Sequence, residues 1–168
     1  MSEIKRIFIV GDSGAGKGVL AEAVAKKLGW QFINADIFGC TAHLGRRLSQ
    51  VIGDSGEKKM NDTLTEILEH QVKMDNIVVT TDENVACTER RRDLLKNEFT
   101  VFLTASTTVL IDRLSNYRPL LPVEDYSSLI NDVKNERAIW FKEVATHSLS
   151  SDDGDIQAHV ESVINAMA

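Results

Sequence analysis

The sequence contains few cysteines, which can form disulfides, and few prolines, which interrupt helices and strands. Its 168 residues include two cysteines, Cys40 and Cys87, and two prolines, Pro119 and Pro122. Two cysteines that lie far apart without metal-ligand spacing argue against a disulfide framework and indicate free thiols in a reducing compartment. No apolar run approaches the roughly 18 residues of a membrane span, and the run near the N-terminus is too short for a signal peptide. We therefore expect a cytoplasmic protein without a membrane segment.

Charge of one sign is not concentrated in any block of the sequence. The net charge is −6, and charged residues make up 26% of the chain. This balance disfavours a general nucleic-acid-binding surface, although it permits a local basic pocket. The length and the hydrophobic content of 43% are typical of one globular domain spanning residues 1–168. No obligate protein partner is evident.

What the sequence does contain is a regular alternation of strand-like and helix-like segments. This alternation predicts a three-layer α/β/α fold with a five-stranded parallel sheet. Ligands bind beyond the carboxyl ends of the strands in such sheets, and Gly11, Asn34 and Thr81 are expected there. The predicted strands are Ile7–Val10, Trp30–Ile33, Ile77–Val79, Phe99–Leu103 and a weak fifth near Thr146–Leu149. Helices are predicted near Gly16–Leu28, Leu44–Ile52, Met60–Leu68, Thr88–Lys96, Val109–Leu114, Ser127–Glu143 and Ile156–Met167.

The most specific motif is the segment Gly11–Lys17, which fits the phosphate-binding pattern G-x-x-x-x-G-K. Its glycines allow a tight turn that brings backbone N–H groups towards phosphate oxygens, and the following helix adds its positive N-terminal end. Lys17 supplies a full positive charge. A chance glycine turn before a helix is the alternative. The motif predicts ATP binding by Gly11, Ser13, Gly14, Ala15, Gly16, Lys17, Gly18 and Val19.

The motif departs from the usual phosphate loop at its last positions. A serine or threonine hydroxyl normally follows the lysine and binds Mg²⁺, but this chain has Gly18 and Val19 there. Mg²⁺ commonly retains several waters. We therefore expect the ion to be held mainly through phosphate oxygens and waters, or poorly.

Four further segments extend this motif into a resemblance to the shikimate kinase family over nearly the whole chain. The lid-like segment and the segment around Arg137 are the specific matches. The resemblance implies a P-loop NTPase fold, an acceptor-binding region at about 34–62 and a lid at about 115–124. The matching segments are Phe32–Asp36, Gly45–Leu48 with Gly56–Glu57, Asn116–Leu121 and Glu136–Phe141.

The resemblance also implies a role for each matching residue. The family transfers the γ-phosphoryl group of ATP, with Mg²⁺, to a ring hydroxyl of shikimate. Asp36 matches the aspartate that orients or deprotonates the acceptor hydroxyl. Lys17 and Arg118 match the cations on the transferring phosphoryl group. Arg137 matches an arginine that binds the shikimate carboxylate. Positioning and charge balance are what phosphoryl transfer mostly needs.

Three departures from the family pattern fall in the acceptor pocket. Asn34 stands where the family has the first aspartate of Asp-x-Asp, and Asn61 stands where it has a second carboxylate-binding arginine. Asp82, Glu83 and Asn84 replace a glycine triplet. We expect Asp36, Asn61, Asp82 and Arg137 to contact the acceptor. Because an arginine is lost and two acids are gained, a neutral or cationic hydroxyl compound fits this pocket better than shikimate does.

Several residues have a second interpretation. Asp82 resembles a Walker B aspartate and, with Asn34, is a candidate for Mg²⁺ through water, but it could also cap the next helix. Asp36 could be a turn residue, Arg118 a solvated loop residue, and Arg137 a partner of Glu136 or Glu143. The run Arg90–Arg92 predicts a solvated helix face, although one of its arginines could line the pocket.

The sequence thus favours an ATP-dependent kinase of a small hydroxyl compound. Two alternatives stay open. One is a genuine shikimate kinase with a rearranged pocket. The other is a degenerate kinase that binds nucleotide and acts as a regulatory module, which the missing P-loop hydroxyl favours.

Overall fold

The computed structural model describes residues 3–38, 48–117 and 126–168. Five strands form one sheet in the order β2-β3-β1-β4-β5, and every neighbouring pair is parallel. The five-stranded parallel sheet predicted from the alternation of elements is confirmed. The strands are β1 (Arg6–Val10), β2 (Gln31–Asn34), β3 (Ile77–Thr80), β4 (Phe99–Thr104) and β5 (His147–Ser150).

Helices connect these strands and cover both faces of the sheet. They are α1 (Lys17–Leu28), α2 (Leu48–Gln71), α3 (Glu89–Lys96), α4 (Thr107–Tyr117), α5 (Tyr126–Val144) and α6 (Ile156–Met167), and Val85–Cys87 forms a 3₁₀ turn. Gly53 interrupts α2 with φ 69° and ψ −179°, a conformation that glycine adopts readily. This break agrees with the two separate helical patterns predicted on either side of it.

The core lies in two layers, one on each face of the sheet. Ile7 and Ile9 of β1 pack with α1 and α6, whereas Phe8 and Val10 pack with α3 and α5 on the opposite face. All four side chains are fully buried. A strand that is buried on both faces must be apolar at every position, and this explains the continuous apolar run of β1.

The second strand begins one residue later than predicted. Trp30 donates its N–H to Ala25 O at 2.9 Å, so it belongs to the turn that ends α1 rather than to the sheet. Gly29 adopts φ 70° at this turn, as expected for a glycine after a helix. The strand then runs to Asn34, which pairs with Thr80.

The sheet brings three loops to its carboxyl edge. Ile9 pairs with Thr80, and Val10 pairs with Phe102, so the loops after β1, β3 and β4 start side by side. Arg118, most of the predicted lid and residues 39–47 of the predicted acceptor region lie outside the described residues. Among the described helices, none is both long enough and apolar enough to cross a membrane.

Candidate active site

The phosphate loop joins β1 to α1 in a conformation that needs glycine. Gly11 has φ +153°, and a Cβ atom there would lie 2.4 Å from the carbonyl oxygen of Leu103. Gly16 has φ +96° directly before the first residue of α1. The first N–H groups of a helix have no intrahelical partner and carry partial positive charge. The loop therefore directs the positive N-terminal end of α1 to the carboxyl edge of the sheet, as an anion site requires.

Lys17 is held inside this loop. Its side chain is buried, and Nζ donates to Asp12 O at 3.0 Å. The same atom lies 3.9 Å from Oδ2 of Asp36. Asp36 follows β2, and its backbone N–H donates to Oδ1 of Asn34 at 3.0 Å. The side chain of Asn34 thus closes a turn that orients the segment carrying Asp36. The predicted phosphate-binding residue Lys17 and the predicted acid Asp36 therefore lie close together across the loop.

Arg113 of α4 braces the phosphate loop from behind. Its Nη1 donates to Gly14 O at 3.2 Å, to Ala15 O at 3.0 Å and to Oγ of Ser151 at 2.8 Å. Ser151, which follows β5, donates its hydroxyl to Ala15 O at 2.6 Å. Our sequence predictions did not include Arg113. Its spacing from Val109 and Leu110 places Arg113 near the buried face of α4. This spacing is the sequence feature that could have indicated its position.

The loop after β3 begins with a buried acid that organises its neighbours. Oδ1 of Asp82 accepts from the backbone N–H of Asn84 at 2.9 Å and from its Nδ2 at 2.8 Å. Oδ2 accepts from the backbone N–H of Phe38, two residues after Asp36. Both carboxylate oxygens of Asp82 are thus engaged by N–H donors, and they tie the loop after β2 to the loop after β3. These contacts support a positioning role for Asp82 more than the capture of a metal ion.

Glu83 links the phosphate loop to α5. Its Oε2 accepts from the backbone N–H of Ser13 at 3.3 Å and lies 3.3 Å from Nη1 of Arg137. Nη2 of Arg137 donates to Oδ1 of Asn84 at 2.7 Å. Burial raises the pKa of Glu83, although Arg137 and Lys17 act in the opposite direction. Burial lowers the pKa of Arg137, but the acids around it, led by Glu83, outweigh that effect and raise the pKa overall.

Asp12 adds a second buried carboxylate beside this ion pair. Only 7% of its surface is exposed, and its Oδ1 makes no hydrogen bond. Burial raises the pKa of Asp12, while Lys17, Arg137 and Lys134 lower it. The charges of Lys17 and Arg137 are therefore both balanced within the protein itself.

The prediction of a solvated face for Arg90–Arg92 is wrong for Arg91. Its side chain is completely buried. Nη1 donates to Asn61 O at 2.9 Å and to Oγ1 of Thr65 at 3.0 Å, and Nη2 donates to Oδ1 of Asn61 at 2.8 Å. Nη2 and Nε donate to the carbonyl oxygens of Asn84 and Val85 at 3.0 and 2.6 Å. These neutral oxygens accept the hydrogen bonds of the Arg91 guanidinium group in the interior. The spacing of apolar residues along the helix could not predict this burial.

The residues present fit the phosphates of ATP better than they fit a metal ion. Among the described residues, no atom outside α1 and the chain neighbours of Gly18 lies within 4 Å of a Cβ built at Gly18, and Val19 is 54% exposed. Neither residue supplies an oxygen ligand. Within the described ranges, no group of three or more histidine, cysteine or acidic side chains could hold a metal ion. Mg²⁺ fits this site only as an ion held through phosphate oxygens and waters.

Most predicted site residues meet at one place. Contacts connect the phosphate loop, Asp36, Asp82 and Arg137, and the network of Arg91 adds Asn61. Arg118 lies outside the described residues. Glu83, Asp12 and Arg91 belong to the same constellation. Glu83 was named from sequence as part of the replaced glycine triplet, and Arg91 only as one of the three arginines of the run 90–92, one of which could line the pocket.

Comparison with known proteins places this arrangement in a family. A family model described as "Shikimate kinase" matches residues 13–168. The chain is 28% identical over 157 residues to a shikimate kinase of Nitratidesulfovibrio vulgaris, a match that covers 90% of this chain and 89% of the relative. It is 36% identical over 117 residues to a bifunctional shikimate kinase/3-dehydroquinate synthase of Thermotoga maritima, of which the chain spans 24%.

A solved structure agrees with these sequence matches. A shikimate kinase from Acinetobacter baumannii in complex with shikimate superposes with a TM-score of 0.78 at 22% identity, covering 96% of this chain and 92% of that one. That likeness concerns the fold, whereas the family model and the sequence relatives carry the assignment. The resemblance predicted from the lid-like and Arg137 segments is therefore confirmed, and with it the enzyme class of ATP-dependent small-molecule kinases. The chain belongs to the shikimate kinase family.

Proposed function

We propose that this protein transfers the γ-phosphoryl group of ATP to a hydroxyl group of a small metabolite. The observation that best supports the proposal is the 3.9 Å separation of Lys17 Nζ from Asp36 Oδ2. It joins a phosphate-binding cation to a partly exposed carboxylate at the carboxyl edge of the sheet. Phosphoryl transfer needs these two functions together, because the acceptor oxygen must be oriented while negative charge on the phosphoryl group is balanced.

The reaction assigns a distinct task to each residue. The acceptor oxygen forms a bond to the γ-phosphorus while the bond from that phosphorus to ADP breaks. Asp36 orients the acceptor hydroxyl and takes its proton at a carboxylate oxygen. Lys17 and Arg118 balance charge on the moving group, and the backbone of the phosphate loop binds ATP with Gly18 and Val19 at its end. Mg²⁺, when bound with ATP, neutralises phosphate charge.

The acceptor side of the proposal involves Asn61, Asp82 and Arg137. Arg137 and Asn61 offer donors to the acceptor, and Asp82 fixes the loops that carry Asp36 and Asn84. The family relatives are named for shikimate, so shikimate itself is the second candidate acceptor. The absence of a side-chain oxygen at Gly18 and Val19 favours a third reading, a module that binds nucleotide without turnover.

The test is acceptor-dependent formation of ADP from Mg-ATP with a panel of hydroxyl metabolites that includes shikimate. We expect turnover that is lost in Lys17→Ala and in Asp36→Ala. Lys27→Ala and Asp93→Ala, which change exposed residues of α1 and α3, are the matched controls and should retain activity. Nucleotide binding by calorimetry without turnover on any acceptor would support the module instead. Failure to bind nucleotide would contradict the proposal entirely.

A further inference from the structure

We propose that the acceptor of this kinase is an uncharged polyhydroxyl compound, and that Glu83 is the residue that excludes acceptors with a carboxylate. The inference rests on the proposed function and identifies the substrate class of that same site. It depends on which groups of this chain already occupy Arg137 and Arg91, the two arginines that the described residues place beside Asn84.

Arg137 is engaged by the protein itself. Its Nη1 lies 3.3 Å from Oε2 of Glu83, and the two side chains are only 14% and 7% exposed. Its Nη2 donates to Oδ1 of Asn84 at 2.7 Å. Glu83 is fixed in this position from its other side, because the same Oε2 accepts from the N–H of Ser13 in the phosphate loop. Glu83 thus holds the place that a carboxylate of the acceptor would need.

A second buried acid, Asp12, makes the charge environment of Arg137 unfavourable for any added anion. Asp12 is buried close enough to Arg137 for their charges to influence each other's ionisation. The negative charges of two buried carboxylates therefore both act on one guanidinium group, although only Glu83 contacts it. An acceptor carboxylate that displaced Glu83 would leave the latter buried without a counter-ion, which is strongly unfavourable.

The second guanidinium that the described residues place in this region, that of Arg91, is closed to ligands. Arg91 has no exposed surface, and its donors go to Asn61, Thr65, Asn84 and Val85. Oδ1 of Asn61 accepts one of these bonds, so Asn61 offers the pocket its amide nitrogen rather than a positive charge. Arg91 cannot replace a carboxylate-binding arginine, because it does not reach the surface of the pocket.

The groups that remain among the described residues suit neutral hydroxyls. Nη1 of Arg137 is buried beside Glu83 and makes no aligned hydrogen bond, so this nitrogen offers an acceptor neither an exposed donor nor an unbalanced charge. The amide nitrogen of Asn61 is an uncharged donor, and Asp36 is an acceptor for the reacting hydroxyl. A hydroxyl-rich compound satisfies both groups and adds no charge.

A matched pair of probes tests the inference: shikimate and its methyl ester, which share their ring hydroxyls and differ in charge. Binding of each is measured by calorimetry with a non-hydrolysable ATP analogue at about pH 8, where carboxylates are normally ionised. The proteins are the unmodified chain, Glu83→Gln, and Glu98→Gln as a control. Glu98 forms a comparable partly buried pair with Arg6, with Oε1 3.0 Å from Nε, at the opposite edge of the sheet.

We expect the unmodified protein to bind the ester more tightly than shikimate. Glu83→Gln should bind shikimate about tenfold more tightly or better, as a charge-assisted contact with Arg137 becomes available, and Glu98→Gln should match the unmodified protein. Tighter binding of shikimate than of the ester by the unmodified protein overturns the inference, and this comparison needs no variant. Unchanged shikimate affinity in folded Glu83→Gln also overturns it. Both measurements are binding measurements, so absence of turnover would contradict the proposed function without deciding this one.

Discussion

Nζ of Lys17 lies 3.9 Å from Oδ2 of Asp36, so the cation of the phosphate loop and the acid after β2 share one small volume. Asp36 retains 25% of its side-chain exposure, whereas Lys17 retains 3%. The acid is therefore the member of the pair that an acceptor can reach, and the lysine is shielded by the loop that also binds phosphate.

The first prediction concerns this pair. Asp36→Asn keeps the size of the side chain but removes the proton acceptor, so kcat should fall about 10²- to 10⁴-fold while the KM for ATP changes little. Lys17→Met should lower kcat and also weaken ATP binding, because it removes a charge that contacts phosphate in both states. Steady-state kinetics with both substrates varied separates these effects. Equal kcat in Asp36→Asn and the unmodified enzyme would contradict the assigned role.

The second prediction concerns the missing hydroxyl of the phosphate loop. Gly18→Ser should be accommodated without strain, because no atom of the described residues outside α1 and the chain neighbours lies within 4 Å of its Cβ position. The change places a metal-ligand oxygen at the start of α1 and should lower the Mg²⁺ concentration needed for half-maximal activity. It should also stabilise the helix by roughly 0.5 kcal/mol. Mg²⁺ titration and thermal denaturation measure the two effects. An unchanged Mg²⁺ requirement would show that the metal does not approach this position.

The third prediction concerns the buried guanidinium of Arg91. Arg91→Met should destabilise the fold by about 2–4 kcal/mol, because it leaves several buried carbonyl oxygens without donors. Arg90→Met is the matched control on the same helix, since the side chain of Arg90 is 62% exposed, and it should change stability by less than about 0.5 kcal/mol. Denaturant unfolding provides the comparison. Equal stability of the two variants would mean that the network around Asn61 contributes nothing.

The fourth prediction concerns pH. Burial raises the pKa of Glu83, so the folded state binds a proton more readily at this group than the unfolded state does. Its protonation therefore stabilises the fold, and this contribution is lost as pH rises through the folded pKa. Glu83→Gln has no such loss. The melting temperature of Glu83→Gln relative to the unmodified protein should rise from about pH 4 towards neutrality.

Asp12 titrates in the same direction, but it is present in both proteins and largely cancels in the difference. Glu98→Gln serves again as the control and should show no comparable rise, because it removes a carboxylate that pairs with Arg6, away from Glu83 and Arg137. A constant or falling difference for Glu83→Gln would contradict the stated direction of its pKa.

The sheet and the phosphate loop were predictable because local pattern determines them. The apolar run of β1 must be buried on both faces, and the glycines of Gly11–Lys17 need conformations that few other residues adopt. Gly53 is a similar case, since the helical pattern changes on either side of it. Asp36 and Arg137 were placed through the resemblance, which supplied positions that spacing alone does not define.

The polar interior of the site was not predictable in the same way. Arg91 has the composition of a surface residue, and only the meeting of α2, α3 and the loop after β3 supplies enough oxygens to bury it. Arg113 likewise depends on carbonyl groups of Gly14 and Ala15, which belong to a distant segment. The pairing of Glu83 with Arg137 joins residues that are far apart in the chain, so no local signal specified it.

The contact between Arg91 and Asn61 has a consequence for how such a pocket can change over time. An arginine introduced at position 61 would put a second guanidinium against the buried guanidinium of Arg91, and these like charges would repel each other. Positions 61 and 91 are therefore coupled. Asparagine at position 61 is compatible with arginine at position 91, whereas arginine at position 61 requires a smaller uncharged residue at position 91. Exchanging one combination for the other, in evolution or by engineering, requires substitutions at both positions. Replacing Arg91 of α3 first avoids an intermediate in which two arginines repel each other.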